Sequence, residues 1–181
     1  MTATARKHVL FLVVCGSPRA ARIGELVTLA QRDEWEVFPI ATADGLKFMD
    51  VSAVEELTGQ PVRHRFRGPG EPKSLPPPDG IIVCPATFNS VNKIAAGISD
   101  SLALGVIAEA IGAGTPVVVA PALNAAQAAH RAFGRSVEEL RASGVNVLYG
   151  PGVYAPAEPG HGDRPYPFDL PMRELRAMLD Q

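Results

Sequence analysis

Cysteine is scarce in this chain, with only Cys15 and Cys84 in 181 residues. Two cysteines make no disulfide framework, and their separation suits no zinc site, so each reads as a small apolar side chain at the end of a buried strand. No metal site is visible. A large excess of either charge is also missing. There are 17 Lys and Arg against 19 Asp and Glu, for a net charge of −2, which argues against a general nucleic-acid or membrane-surface binder. Membrane-length apolar runs are absent as well. The N-terminal run Val9–Val14 follows two basic residues but is far shorter than a membrane span. It reads as a first strand behind a frayed tail of residues 1–7, not as a signal peptide, and a cytoplasmic protein is expected. Finally, no Gly-x-Gly-x-x-Gly follows that strand, which disfavours a dinucleotide site.

What is present is a globular composition, with 46% hydrophobic and 20% charged residues in a length that fits one domain. Strand patterns are predicted at His8–Val14, Trp35–Ala41, Gly80–Cys84, Pro116–Ala120 and Val145–Tyr149. Helical periodicity alternates with them at Arg19–Gln31, Val51–Leu57, Asn89–Gly97, Leu102–Ile111, Ala125–Ala142 and Leu170–Leu179. Near-continuous apolar strands separated by helices predict an α/β fold, a Rossmann-like three-layer sandwich with a parallel sheet covered on both faces. Two segments interrupt the alternation: Gly59–Asp79, with Arg63-His64-Arg65-Phe66-Arg67, and Gly150–Pro167, with Tyr154, His161, Asp163, Arg164 and Tyr166. Loops of that length are usually binding elements or disordered. The arginine run reads as a solvated loop or as a contact for a phosphate or carboxylate.

Polar residues gather where strands pass into helices. Cys15-Gly16-Ser17-Pro18 ends the first strand: Gly16 lets backbone approach closely, Ser17 supplies a cap and a hydroxyl, and Pro18 suits the first helical position. Thr42 ends the second strand and is equally a helix cap. Pro85-Ala86-Thr87-Phe88-Asn89-Ser90 ends the third and opens a helix with Val91, Ile94, Ala95 and Ile98 on one face. Pro121-Ala122-Leu123-Asn124 ends the fourth. In open α/β sheets these carboxyl ends are where ligands bind, because N–H groups and helix dipoles point outward there.

The block Pro85–Ser90 resembles the Pro-Ala-Ser/Thr-x-Asn-Thr/Ser motif of the homo-oligomeric FMN-containing cysteine decarboxylases, which include phosphopantothenoylcysteine decarboxylases and the peptidyl-cysteine decarboxylases of lanthipeptide biosynthesis. Pro121–Asn124 is similar to that family's Pro-x-Met-Asn motif, and the likeness runs from about His8 to Tyr149. It implies a fold of flavoprotein type, and one FMN-binding domain over residues 1–181 with the 150–167 loop as a candidate substrate flap. Gly16, Ser17 and Thr42 are implied phosphate contacts, Phe48 a flavin or core contact, and Pro85, Ala86, Thr87 and Asn89 the flavin lining. Asn124 is the implied contact for the substrate's carboxylate or amide. A homo-oligomer, a trimer or a multiple of one, is implied, with a small-molecule or peptide substrate bearing a thiol and a carboxylate, and no nucleic acid or membrane as partner.

The departures matter as much. Gly45 stands where the family has alanine or another small residue, and Phe88 where it has a small one. Gln127 and Ala128 replace a methionine and an aromatic. The family's histidine, a short way before the acidic residue here given by Asp79, falls on Glu71-Pro72. His64 and His130 are the candidate replacements, each also readable as an ordinary surface or core histidine, and Glu71 would serve as a base if burial raised its pKa. The late cysteine that helps reduce the enethiol product has no counterpart after Cys84. The expected activity is therefore oxidative decarboxylation of a cysteine-containing substrate. The competing expectation is a flavin-binding regulatory or partner subunit without that activity, and a nicotinamide-dependent enzyme is the weaker third.

Overall fold

A computed structural model describes residues 6–72, 75–161 and 165–180. Five parallel strands form one sheet in the order β2-β1-β3-β4-β5, with β1 at His8–Val14, β2 at Trp35–Ala41, β3 at Gly80–Ala86, β4 at Val117–Pro121 and β5 at Asn146–Val147. Side chains alternate across this sheet, and both faces are buried. Leu10, Leu12 and Val14 point to one face and pack with Leu26, Val27, Val54 and Leu175. Val9, Phe11 and Val13 point to the other and pack with Val91, Ile107, Phe133 and Leu140. The first face is covered by α1 (Gly24–Arg32), α3 (Val51–Thr58) and α8 (Leu170–Leu179), the second by α4 (Phe88–Ala95), α5 (Leu102–Ala113) and α7 (Arg131–Ala142). The three-layer parallel α/β fold expected from the alternating pattern is the one observed.

Two expected helices are divided. Arg19–Gln31 becomes a 3-10 turn at Pro18–Arg22 followed by α1, with Ile23 at the junction. Ala125–Ala142 becomes α6 (Ala125–Ala129) and α7, broken at His130, whose ψ of 126° is extended. His130 Nδ1 accepts the Ala132 N–H at 3.1 Å, so the residue that stops one helix caps the next. The four-residue α2 (Gly45–Phe48) is too short to show a period and was not expected. At the other end of α7, Gly144 takes a φ of 83°, the left-handed position that the Gly before a strand predicts.

The long segment after α3 runs along the outer edge of β2. Arg63 N–H donates to Pro39 O at 3.0 Å, and Ala41 N–H donates to Arg63 O at 2.7 Å. The reversal of strand order, β1 to β2 on one side and β1 to β3 on the other, places a crevice at the carboxyl ends of β1 and β3.

Candidate functional site

The strand ends are tied together before any side chain is considered. Thr42 N–H donates to Val14 O at 3.0 Å, Cys15 N–H to Pro85 O at 3.2 Å, and Ala122 N–H to Ala86 O at 2.8 Å. A shift in the β3–β4 register between Val83 and Ala86 turns the end of β3 out of regular pairing where the polar block begins. Above these ends lies a cleft of about 550 Å³ whose wall includes Gly16, Ser17, Thr42, Thr87, Asn89 and Ser101.

Its hydroxyls are held by backbone. Ser17 is buried, and its Oγ accepts the Arg19 N–H at 3.4 Å. Thr42 Oγ1 accepts from Gly45 N–H at 3.0 Å, and Thr87 Oγ1 from Ser90 N–H at 3.3 Å. Each hydroxyl uses a lone pair for capping; Ser17 and Thr42 keep a proton to donate, whereas Thr87 Oγ1 also shares a hydrogen bond with Ser90 Oγ at 3.0 Å, so the cap and ligand readings are compatible at Ser17 and Thr42. The N-termini of α4 and α5 both open at the cleft, a favourable place for negative charge.

Close backbone approach explains the glycines. A Cβ on Gly45 would lie 2.3 Å from Val14 O, so any side chain there forces the backbone to shift. A Cβ on Gly16 would lie 2.5 Å from the Cβ of Asp44, so its small size serves the packing of one turn on the next.

The other expected residues lie as follows. Pro85 and Ala86 are buried within β3 and do not line the cleft; their carbonyls accept from Cys15 N–H and Ala122 N–H and so hold the neighbouring strand ends in place. Phe48 ends α2, is 43% exposed and is not part of the cleft wall. Asn124 caps α6 beside the cleft, in a reciprocal pair with Gln127, and Gln127 itself lines the wall. The Asn124 side-chain NH2 has no hydrogen bond among the described residues, which leaves it free to donate. Phe88 lines the cleft, and its ring meets His130 edge-on at 5.6 Å and stacks on Phe133 at 6.4 Å. His130 thus stands behind Phe88, with Nδ1 engaged and its proton on Nε2. His64 is exposed on the segment beside β2, lines a separate groove, and is not brought together with Asn124.

Glu71 does not meet the condition for a base. It is solvent-exposed, and the Gly68 backbone N–H and then the Arg65 guanidinium at 3.5 Å hold its carboxyl below the usual range. Burial raises both thiols, Cys84 to about 12, so neither is ionised near neutral pH. Both cysteines are small buried groups, as expected.

Ser101, Lys93 and Asp100 were not foreseen in the wall. Ser101 caps α5 through its Oγ and Leu104 N–H, at 3.4 Å, and the capping rule applied to Leu102 would have found it. Lys93 Nζ reaches Asp100 at 2.5 Å across the α4–α5 connection, so this exposed pair forms part of the rim.

The described parts of the Gly150–Pro167 segment pack back on β4. Tyr166 O–H donates to Ala120 O at 2.7 Å, Arg19 lies 4.8 Å over the Tyr166 ring, and Ala125 N–H donates to Ala157 O at 2.8 Å. Burial raises Tyr166 well above the usual phenol range. Asp163 and Arg164 lie outside the described residues. No helix among the described residues is long and apolar enough to cross a membrane, and no cluster among them could hold a metal ion.

Fold and cleft together define a doubly wound α/β protein with a cleft at its topological switch point, where two helix N-termini open. The sequence matches the Flavoprotein family over residues 2–165, and the chain belongs to that family. It is 32% identical over 154 residues to the Coenzyme A biosynthesis bifunctional protein CoaBC of Thermococcus kodakarensis; the match takes in 80% of this chain but 38% of that relative's length. It is similar to the crystal structure of the FMN-dependent cysteine decarboxylase SpaF, at 27% identity and a TM-score of 0.67, covering 80% of this chain and 84% of that one. It shares its fold with a PPC decarboxylase mutant complexed with pantothenoylaminoethenethiol, at 20% identity and a TM-score of 0.73 over 97% and 100% of the two chains.

Proposed function

We propose that this protein binds FMN in the cleft and catalyses oxidative decarboxylation of a cysteine-containing substrate, of peptidyl or phosphopantothenoyl type. The observation that carries the reading is the convergence on one switch-point cleft of Ser17, Thr42, Thr87 and Asn89, with the Asn124–Gln127 pair beside it. The residues fit the group. Ser17 and Thr42 have donor protons available at the ends of β1 and β2 for a phosphate, α4 and α5 direct their positive ends inward, and Phe88 offers an apolar wall for a flat ring. The chemistry FMN supplies when bound is acceptance of a hydride from the carbon that carries the thiol.

The protein's own part is geometric. Asn124 offers its side-chain N–H to the substrate's carboxylate while Gln127 fixes the amide's orientation. His64 and His130 are the histidines available to move a proton, His130 through Nε2–H. With Cys15 and Cys84 buried and protonated, no thiol among the described residues serves to reduce the product, so the reaction ends at the enethiol. The protein acts as a single domain in a cytoplasmic homo-oligomer, a trimer or a multiple of one, with residues 150–167 as a flap on the substrate side.

Because neither His64 nor His130 lines the cleft, a second reading has a specific basis: a flavin-binding regulatory or partner subunit without the activity. Purified protein with FMN, incubated with a cysteine-terminated peptide and with phosphopantothenoylcysteine, separates the two. Loss of carbon dioxide and two hydrogens from either substrate, with bleaching of the flavin, establishes the enzyme. Bound flavin with both substrates unchanged establishes the second reading, and failure to take up FMN overturns both.

A further inference from the structure

Arg19 belongs to the turn beside the cleft but not to the cleft wall. In the 3-10 turn Pro18–Arg22, Pro18 lines the cleft, while Arg19 only lends its N–H to Ser17 Oγ, at 3.4 Å. The Arg19 guanidinium lies 4.8 Å over the ring of the buried Tyr166 and hydrogen-bonds the half-buried Tyr154 phenol. Three residues on, Arg22 stands 5.9 Å from the Phe168 ring, which meets Tyr166 edge-on at 5.0 Å. Tyr154 also meets Tyr166 edge-on, at 5.6 Å. Two guanidinium groups from one turn thus rest on three rings from the C-terminal part of the chain. Asp169 lines the same hollow as Arg19, Tyr154 and Tyr166, so Arg19 is opposed within the fold and is not a surplus charge awaiting a ligand.

The same stretch also reaches the other side of the cleft. Tyr166 O–H donates to Ala120 O at 2.7 Å, with Pro121 O at 3.2 Å, at the close of β4. Ala157 forms a parallel bridge with Asn124, and Ala125 N–H donates to Ala157 O at 2.8 Å. Tyr154, Ala157 and Tyr166 therefore connect the turn that carries Ser17 with the turn that carries Asn124. The sheet connects them only indirectly, because β3 stands between β1 and β4.

We propose that Arg19 is a positioning residue: it clasps Tyr154 and Tyr166 onto the Ser17 turn and so fixes the Asn124 turn relative to the phosphate-binding end of the cleft. Under the FMN reading of the cleft, on which this rests, the turn is stiffened when Ser17 holds the phosphate, and the stiffened turn secures the clasp. Linkage requires the converse: the closed clasp strengthens FMN binding by the factor by which FMN holds the clasp closed.

The test pairs two measurements on the full chain. FMN affinity, read by fluorescence quenching, is expected to fall about 5-fold in Arg19→Met, although this side chain is outside the cleft wall. Arg19→Lys, which keeps a cation for the Tyr166 ring but not the guanidinium fork, lies between that variant and the parent. Amide hydrogen exchange in residues 150–161 of the parent is expected to slow about 5-fold when FMN is added, and to ignore FMN in Arg19→Met. Circular dichroism confirms that each variant is folded. A merely structural role moves neither readout in a folded variant. Unchanged affinity in Arg19→Met overturns the proposal and leaves the FMN site standing. So does exchange in 150–161 of the parent that ignores FMN while the peptide carrying Thr87 and Asn89 is protected. Absence of FMN protection in both peptides overturns the FMN reading itself, and the proposal with it.

Discussion

Asn124 and Gln127 hold each other by their backbones: the Gln127 N–H donates to Asn124 Oδ1 at 2.9 Å, and the Asn124 N–H donates to Gln127 Oε1 at 3.3 Å. The oxygen of the Asn124 amide is spent on the cap, so only the NH2 faces outward. A residue that reads in sequence as a substrate contact is thus oriented by the residue that departs from the family pattern.

Asn124→Asp tests that orientation. Aspartate caps as well as asparagine, so stability should change by less than about 0.5 kcal/mol. The outward donor is replaced by a second carboxylate oxygen, so FMN is retained while turnover is abolished. Normal turnover in an FMN-loaded variant removes Asn124 from the mechanism.

The two hydroxyls at the ends of β1 and β2 should matter for cofactor uptake more than for folding. Ser17→Ala and Thr42→Ala each remove a donor to the phosphate, a charge-assisted bond of about 1.5–3 kcal/mol, and so weaken FMN binding about 10–100-fold. Fluorescence quenching of free FMN on titration with each variant measures this. Unchanged affinity in both would place the phosphate elsewhere.

Gly45→Ala should be costly for its size. The added methyl meets Val14 O, a backbone atom that cannot rotate away, so overpacking of about 1–3 kcal/mol is expected. Because Val14 O also accepts from Thr42, FMN uptake falls along with the urea midpoint. A variant as stable as the parent contradicts the geometry at the β1–α2 contact.

Alkaline pH should destabilise the protein through its buried acids. Cys84 is raised by burial from 9.0 to about 12, so the folded state keeps a proton that the unfolded state loses. Stability from this group is complete below pH 9 and declines between pH 9 and about 12, by about 1.4 kcal/mol per pH unit. Cys15 and Tyr166 are displaced in the same direction. Urea midpoints measured from pH 7 to 10.5 should be level and then fall, and Cys84→Ala should soften the fall. At pH 8 the folded protein should leave both thiols unreactive toward a disulfide reagent. A flat profile to pH 10.5, or rapid labelling, refutes the account.

Much of this architecture is legible in the chain because parallel strands buried on both faces leave unbroken apolar runs. His8–Val14 and Trp35–Ala41 are bounded to the residue for that reason. Ser17, Thr42 and Thr87 can be found because a helix start demands a capping residue, and strand ends bring all three to one place. What escapes the sequence depends on tertiary neighbours. The break at His130 lies inside a periodic apolar stripe, so nothing local marks it until the ring caps α7. Lys93 and Asp100 look solvated until the α4–α5 connection folds them onto the cleft. Glu71 fails as a base through its exposure and its Arg65 partner, and neither can be read from a linear sequence.

The backbone of Arg63 has a consequence for how copies of this chain meet. It occupies hydrogen-bonding groups of β2 that would otherwise be offered at the sheet's margin, and Pro39 within that strand has no N–H to give. At the opposite margin β5 has only two residues. At these places the borders offer little on which another strand could extend the ladder, so any self-association would be built from side chains on helices and loops.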